Sequence, residues 1–156
     1  MKQPPLIPTV IATGFGSGFC PMAPGTAGAL LATAIWIVYA ALLPAEACLC
    51  VTLVLTLLFT WTGVWATDKV IPFWGEDPRR VVVDEMVGVW IPLIAAPAGN
   101  LWYALASFVL FRFFDIAKPL GVRQMERFPG GIGVMADDIL AGIYSLFIII
   151  CAQWIL

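Results

Sequence analysis

Long apolar runs occupy most of the chain, and shorter stretches between them contain the charged residues and many of the glycines. Three charge-free runs reach or approach the roughly 20 residues that an α-helix needs to cross the hydrocarbon core of a bilayer. They are residues 27–43, 47–67 and 139–156. The pattern therefore predicts three transmembrane helices.

A fourth charge-free run, residues 86–111, is too long for a comfortable single span and is interrupted by the turn-forming sequence Pro97–Asn100. Basic residues flank it on both sides, and cytoplasmic loops of membrane proteins carry the excess of lysine and arginine. A single span would place one basic group outside, whereas a helical hairpin keeps both inside. We therefore predict an all-α, polytopic membrane bundle of about four to five transmembrane helices with a short hairpin near 86–111. Its N-terminus is cytoplasmic and its C-terminus external.

Composition supports a membrane protein and excludes several other classes. The chain is 62% hydrophobic and 12% charged, with a mean hydropathy of +0.97, whereas soluble domains are about one quarter charged. Its 156 residues leave room for one compact domain, which we assign to 1–156. The net charge of -2 provides no basic stripe for nucleic acid, so we expect no nucleic-acid partner.

The predicted topology brings the charged and glycine-rich segments together at the cytoplasmic face. The first of these is GFGSGFCPMAPGT, whose glycines allow consecutive backbone N–H groups to point toward an anion. A helix beginning near Thr26 would add the positive end of its dipole. The alternative is a flexible entry loop that tolerates close helix packing.

Adjacent carboxylates occur in two further motifs. VVVDEMVGVW contains Asp84 and Glu85, which point about 100° apart on a helix and would supply neighbouring ligand positions. PGGIGVMADDILAG contains Asp137 and Asp138 at the mouth of the last predicted helix. Adjacent carboxylates repel each other unless they share a cation. The alternative for both pairs is ordinary helix-start acidity, which the helix dipole favours.

The remaining motif, FRFFDIAKP, places Arg112, Asp115 and Lys118 at a spacing of three, along one helix face. A simple interpretation is a ladder of ion pairs within one helix, each worth a few tenths of a kcal/mol. That ladder would not explain why these charges stand next to a long apolar run. Charges at the membrane boundary are costly unless they are paired, and they commonly mark functional sites.

Missing residue types narrow the chemistry. The chain has no histidine, no cysteine followed by arginine at the spacing of a thiol phosphatase, and no Asp-x-Asp pair. These absences argue against histidine nucleophiles, most zinc sites, thiol phosphatases and the usual aspartyl-phosphate enzymes. Metal-assisted phosphoryl transfer remains, with Mg²⁺ as the cofactor that best suits all-oxygen ligands.

In this order, the four motifs resemble those of the phosphatidylglycerophosphatase A family. The resemblance rests on GFGSG with PGT, DE-x-x-G-x-W, FR-x-FD-x-x-KP and GG-x-G-x-M-x-DD-x-x-AG, and it covers nearly the whole chain. It implies Mg²⁺-dependent removal of the terminal phosphate of phosphatidylglycerophosphate, giving phosphatidylglycerol for phospholipid biosynthesis. It also implies a bacterial cytoplasmic membrane enzyme whose active site faces the cytoplasm and whose substrate lies in the cytoplasmic leaflet.

Three sets of site residues follow. The predicted metal ligands are Asp84, Glu85, Asp115, Asp137 and Asp138. The predicted catalytic residues are Asp84, Glu85, Asp115, Lys118 and Asp138, and one carboxylate activates the attacking water. The predicted phosphate contacts are Arg112, Lys118, Gly16, Ser17, Gly18, Thr26 and Gly131, which would neutralise the charge that spreads over the phosphoryl oxygens.

Two other functions remain as alternatives. One is a different membrane lipid-phosphate phosphatase or a CDP-alcohol-type phosphotransferase, although the Asp-Gly-Ala-Arg pattern of the latter is absent. The other is a small ion transporter that uses Asp84 and Asp115 as boundary ligands, although no inverted repeat supports it. The number of metal ions, the identity of the base, headgroup selectivity and the oligomeric state stay open.

Overall fold

In the computed structural model, which describes residues 3–76 and 78–155, every regular element is helical. A single turn of 3₁₀-helix covers Ser17–Phe19. The α-helices are α1 (Leu6–Ala12), α2 (Pro24–Leu42), α3 (Ala45–Trp74), α4 (Val83–Leu93), α5 (Leu101–Ala117), α6 (Val122–Met125) and α7 (Gly130–Ile155). Over the described part of the chain, the all-α prediction is confirmed.

Three helices contain the predicted spans. Helices α2, α3 and α7, with 19, 30 and 26 residues, are long and apolar enough to cross a membrane. Large apolar side chains such as Leu57, Trp61 and Phe147 are exposed on their outer faces. Such an apolar exterior would be unfavourable in water, and it fits a bundle that is surrounded by lipid.

The predicted hairpin is also present, formed by α4 and α5. The turn between them ends at Asn100, whose side-chain Oδ1 accepts a hydrogen bond from the backbone N–H of Trp102 at 3.1 Å. This is the usual N-cap interaction, which satisfies an N–H group that has no partner within the helix. Local turn chemistry therefore starts α5 where the sequence indicates.

The first arm of the hairpin is the centre of the bundle. At about 1.5 Å per residue, the 11 residues of α4 span about 16 Å, roughly half the hydrocarbon thickness. Helix α4 packs against α2, α3, α5 and α7. A side chain at Gly88 would overlap the ring of Phe111, so glycine is required for this close packing. Helix α4 is therefore a buried core helix and is too short to cross the membrane by itself.

Helix α7 begins at Gly130, earlier than the predicted span that starts at residue 139. Its glycine-rich first turn packs directly on α3, because a side chain at Gly131 would overlap the carbonyl oxygen of Val64. Asp137 and Asp138 consequently lie about two turns inside the helix. Their predicted position at its mouth was wrong, and the helix dipole, which acts within the first turn, does not account for them.

The glycine-rich N-terminal loop supports the segment that leads into α4. The backbone N–H of Val82 donates to the carbonyl of Ala12 at 2.8 Å. A side chain at Gly18 would overlap the carbonyl oxygen of Arg80, so the loop and the segment lie in direct contact. This packing holds the start of α4 at the same end of the bundle as the start of α2 and the end of α5.

Candidate active site

Three carboxylates converge at this end of the bundle. Asp84 and Glu85 lie in the first turn of α4, and Asp138 reaches them from α7. One oxygen from each of the three lies within 4.8 Å of the others. Asp84 is 8% exposed and Asp138 is 3% exposed. We call these three residues the acidic triad; their negative charges repel one another at this separation, and a cation among them would relieve that repulsion.

The oxygens of Glu85 point to the missing partner. Within the described residues, its buried Oε2 has no hydrogen-bond partner. A Cβ atom at Gly25 would overlap Oε1, so the start of α2 approaches the carboxylate closely. A buried oxygen without a partner is costly, and a cluster of carboxylate oxygens is the donor set that hard divalent cations take. The acidic triad therefore fits a divalent cation.

Arg112 and Asp115, one turn apart on α5, form an ion pair beside the acidic triad. A Cβ atom at Gly25 would lie 3.3 Å from Nη1 of Arg112, which places the guanidinium at the start of α2. Asp115 is close enough to Glu85 and Asp138 for their charges to interact. The ion-pair interpretation of this motif thus holds for these two residues, although the pair stands at the site rather than on an isolated helix face.

Lys118 connects the end of α5 to α7. Its Nζ donates to Oδ2 of Asp137 at 2.7 Å and also pairs with Glu126. Partial burial alone would lower the pKa of Lys118, but the hydrogen bonds to Asp137 and Glu126 outweigh burial and raise the pKa above its usual range. Asp137 is therefore held by a lysine, while its neighbour Asp138 belongs to the acidic triad.

Backbone strain accompanies this arrangement. Lys118 and Leu120, on either side of Pro119, have φ values of 46° and 49°, in the left-handed region that costs non-glycine residues about 1–2 kcal/mol each. Lys118 is the residue that ends α5. The lysine side chain contacts α7 from the start of this turn, through Asp137.

The predicted phosphate contacts are distributed unevenly. Thr26 lines a cavity beside the acidic triad. Gly16, Ser17 and Gly18 belong to the loop that supports residues 80–82, and Ser17 donates its hydroxyl hydrogen to the carbonyl of Gly14 at 2.9 Å. Gly18 packs against Arg80, whereas a Cβ atom at the exposed Gly16 would meet nothing within 4 Å, and none of the three is in the described linings of the cavities below.

Gly131 has a different role from the one predicted. Its backbone N–H donates to Oδ1 of Asp68 at 2.7 Å, so this donor is already engaged and is not directed at phosphate. Asp68, in the last two turns of α3, was missed by the sequence analysis. Its only local signal is that it follows an apolar run, and nothing in the sequence links it to a residue so far along the chain.

Two cavities meet at Asp84. The smaller, about 270 Å³, lies at the start of α2. The larger, about 460 Å³, lies between the end of α3 and the start of α7. The smaller is lined by Ala23, Pro24, Gly25, Thr26, Pro78, Arg79, Val81, Asp84, Glu85 and Arg112. The larger is lined by Ile71, Glu76, Asp84, Glu126, Arg127, Phe128, Pro129, Gly130, Gly133, Val134 and Asp137. Arg79, Glu76 and Arg127 are site residues that the motifs did not predict.

Fold and site together define a class: a helical membrane protein with a buried acidic centre, flanked by basic side chains, at one end of the bundle. The sequence matches the phosphatidylglycerophosphatase A family over residues 10–153, and the chain belongs to that family. The chain is thus a member of a family of membrane lipid phosphatases, as the four motifs predicted.

Relatives agree on phosphatase chemistry but differ in the substrate that they are named for. A protein of Bacteroides thetaiotaomicron, provisionally named a phosphatidylinositol-3-phosphatase, is 60% identical over 100% of this chain and 99% of its own. The phosphatidylglycerophosphatase A of Haemophilus influenzae is 39% identical over 93% of this chain and 88% of its own. That of Escherichia coli is 37% identical over 87% of this chain and 77% of its own. No solved structure matches the chain significantly.

Proposed function

We propose that the chain hydrolyses the terminal phosphate of phosphatidylglycerophosphate, releasing phosphatidylglycerol and inorganic phosphate in phospholipid biosynthesis, with Mg²⁺ as its cofactor. The observation that carries the proposal is the acidic triad, with a buried Glu85 oxygen that has no partner among the described residues. Family membership and the names of two relatives support the substrate.

Asp84, Glu85 and Asp138 would hold the metal. When bound, Mg²⁺ would supply positive charge at the phosphoryl oxygens and would make the attacking water more acidic. Asp115 and Asp137, also proposed as ligands, engage Arg112 and Lys118 in this structure. Their contribution in the present arrangement is to orient those two cations beside the site.

The other side chains provide binding and orientation. Arg112 stands beside the start of α2, whose first N–H groups have no helical partner and whose N-cap residue supplies no side-chain acceptor. A phosphate there would receive backbone hydrogen bonds and charge-assisted bonds from the guanidinium. One site carboxylate accepts the proton of the attacking water, and Lys118 adds charge stabilisation. Several such contacts are needed, because phosphomonoester hydrolysis is among the slowest uncatalysed reactions.

We place the site at the cytoplasmic face of the bacterial inner membrane. Support comes from the distribution of charge: Lys69, Arg79 and Arg80 lie near or after the end of α3, Arg112 and Lys118 near or at the end of α5, and Arg123 and Arg127 in or just after α6. The positive-inside rule assigns such segments to the cytoplasm. The substrate would keep its acyl chains in the cytoplasmic leaflet while its headgroup enters the cavities.

A phosphatidylinositol monophosphate is the second candidate substrate, because the relative that is 60% identical is provisionally named for that activity. The reaction at phosphorus is the same for both lipids, since each carries a phosphomonoester on a polyol. The acidic triad does not distinguish them, so the choice depends on how the polyol is bound.

Phosphate release from both lipids tests the function directly. Purified protein in detergent is assayed with Mg²⁺ or with excess EDTA, beside the near-isosteric Asp84→Asn and Asp138→Asn variants. Glu46→Gln, which changes an exposed carboxylate at the other end of the bundle, is the control. We expect Mg²⁺-dependent release that falls at least about 100-fold in the two site variants and is unchanged in the control. The lipid with the higher kcat/KM identifies the substrate; release from neither lipid by folded protein rejects the proposal and makes ion flux the next measurement.

A further inference from the structure

The two cavities differ in the chemistry of their walls. The small cavity combines Arg79 and Arg112 with the N-terminal turn of α2, so apart from the acidic triad its polar groups attract anions. The large cavity carries one arginine, Arg127, and the carboxylates of Glu76 and Glu126, together with Asp84, which both cavities share, and Asp137, which pairs with Lys118. A dianionic phosphate is therefore favoured in the small cavity, whereas the mixed donors and acceptors of the large one suit a hydroxylated group.

Size leads to the same division. Pockets that bind small molecules usually enclose about 300–1,000 Å³. The large cavity, at about 460 Å³, lies inside that range, and the small cavity, at about 270 Å³, lies below it. A phosphoryl group is far smaller than a polyol joined to a phosphodiester. The larger part of the headgroup consequently has more room in the large cavity.

The large cavity also has an apolar rim. Ile71, Phe128 and Val134 contribute to its lining. The Phe128 side chain is exposed as well, and so is Ile132 on the first turns of α7. Phe128 therefore belongs both to the lining of this cavity and to the apolar exterior of the bundle, where acyl chains would lie.

We propose that the large cavity is the leaving-group subsite: it binds the polyol and phosphodiester of the lipid headgroup, and Arg127 contacts the phosphodiester anion. This inference rests on the proposed function and applies to both candidate substrates, which share that phosphodiester. The phosphomonoester occupies the small cavity, where Arg79 is a second phosphate contact beside Arg112. Glu76 and Glu126 accept hydrogen bonds from polyol hydroxyls.

This assignment of phosphate and polyol to the two cavities agrees with the position of the bond that hydrolysis breaks. Hydrolysis cleaves the bond between the terminal phosphorus and the polyol oxygen, water supplies the oxygen that joins phosphorus, and a proton ends on the polyol oxygen. The scissile bond must therefore lie where phosphate and polyol meet. Asp84 is the residue of the acidic triad that lines both cavities, so the break falls beside it.

Product inhibition separates the two subsites. Each product occupies one cavity: phosphatidylglycerol the large one and inorganic phosphate the small one. In mixed micelles we expect Arg127→Gln to raise KM and the Ki for phosphatidylglycerol about fivefold, the scale of one partly exposed charged contact, with the Ki for phosphate unchanged. Arg79→Gln should raise the Ki for phosphate and leave that for phosphatidylglycerol. Arg123→Gln, an exposed arginine of α6 that lines neither cavity, should change neither constant.

The inference is overturned if Arg127→Gln leaves the Ki for the lipid product of the preferred substrate, phosphatidylglycerol or phosphatidylinositol, unchanged, if it shifts that Ki and the Ki for phosphate together, or if neither lipid product inhibits the parent protein. Native mass spectrometry of phosphatidylglycerol adducts measures the same contact without turnover. If the parent protein hydrolyses neither lipid but binds phosphatidylglycerol, and Arg127→Gln abolishes these adducts, the proposed function is wrong but the binding site is supported. Equal adduct retention by the Arg127 and Arg123 variants would reject the binding site.

Discussion

Asp68, in the last two turns of α3, accepts a hydrogen bond from the backbone N–H of Gly131, in the first turn of α7, at 2.7 Å. Gly130 has a φ of 64°, in the left-handed region, and a side chain there would lie against the Asp68 carboxylate. The contact thus fixes the start of the helix that carries Asp138. A carboxylate at a helix N-terminus is favourable for both its hydrogen bond and its charge.

Replacement of Asp68 by alanine removes this cap. We expect a loss of about 1 kcal/mol in the free energy of unfolding and, because small displacements of catalytic groups are costly, a fall in kcat of about tenfold or more. Asp68→Asn keeps an acceptor oxygen and should therefore retain more stability and a higher kcat than Asp68→Ala. Thermal unfolding and kcat in detergent check this, with Glu46→Gln as the control. Full activity in Asp68→Ala would show that the cap does not position α7.

Metal binding should appear in thermal stability. A ligand that binds only the folded state at about 100 times its Kd adds about 2.7 kcal/mol, so Mg²⁺ should raise the Tm of the parent protein. Asp84→Asn and Asp138→Asn should lose this rise. In EDTA both variants should melt at or above the parent temperature, because one of three mutually repelling carboxylates is gone. A Tm increase with Mg²⁺ that survives in both variants would place the metal elsewhere.

Gly25 makes room for Glu85. In Gly25→Ala the new Cβ atom would overlap Oε1 of Glu85 and displace a proposed metal ligand. We expect activity to fall about 100-fold, because displacing a catalytic group by about 1 Å lowers the rate by about that factor. The fold should be retained. The double variant Gly25→Ala/Glu85→Asp, with a shorter carboxylate, should recover part of the activity. If it is no more active than Gly25→Ala, steric displacement of Glu85 is not the cause.

Lys118 has a structural role that a double variant separates from catalysis. Lys118→Met leaves Asp137, which is 7% exposed, without its lysine. We expect the free energy of unfolding to fall by about 1–3 kcal/mol, which is less than for a fully buried ion pair because the lysine is partly exposed. Lys118→Met/Asp137→Asn should recover stability but not activity. Urea unfolding and phosphate release measure the two effects. Recovery of both in the double variant would exclude a catalytic role for Lys118.

The stability contribution of Lys118 has a defined pH range. Since the folded-state pKa is raised, the contribution is fully present below the unfolded pKa of about 10.4 and is lost only as pH rises through the folded value. The stability difference between Lys118→Met and the parent protein should therefore stay constant from about pH 7 to about pH 9. A difference that disappears within this range would contradict the raised pKa.

Membrane topology is accessible to labelling. In a background without the natural cysteines, Asn100→Cys in the turn of the hairpin should react with an impermeant thiol reagent from the periplasmic side. Arg123→Cys in α6 should react only after the membrane is opened, because the positive-inside rule keeps the basic segments in the cytoplasm. Reaction of both positions from the same side would reject the proposed orientation.

The sequence determined the spans and the hairpin because their signals are local. Apolar runs of sufficient length, the Pro97–Asn100 turn and the flanking basic residues can each be recognised from neighbouring residues in the sequence alone. The central place of α4 was not predictable, since an apolar helix surrounded by protein and one surrounded by lipid have similar composition. Only contacts with the other helices, including the close approach at Gly88, decided that α4 is a core helix.

Within the candidate site, charge placement predicted that Asp84, Glu85, Asp115, Lys118, Asp137 and Asp138 would gather at one end. Tertiary structure decided their partners. Asp137 and Asp138 are adjacent in the sequence, yet successive residues of a helix point about 100° apart. Because α7 begins at Gly130 and packs on α3 and α4, that rotation directs Asp138 to the acidic triad and Asp137 to Lys118. The sequence contains both carboxylates, but only the orientation of α7 assigns one to the acidic triad and the other to an ion pair.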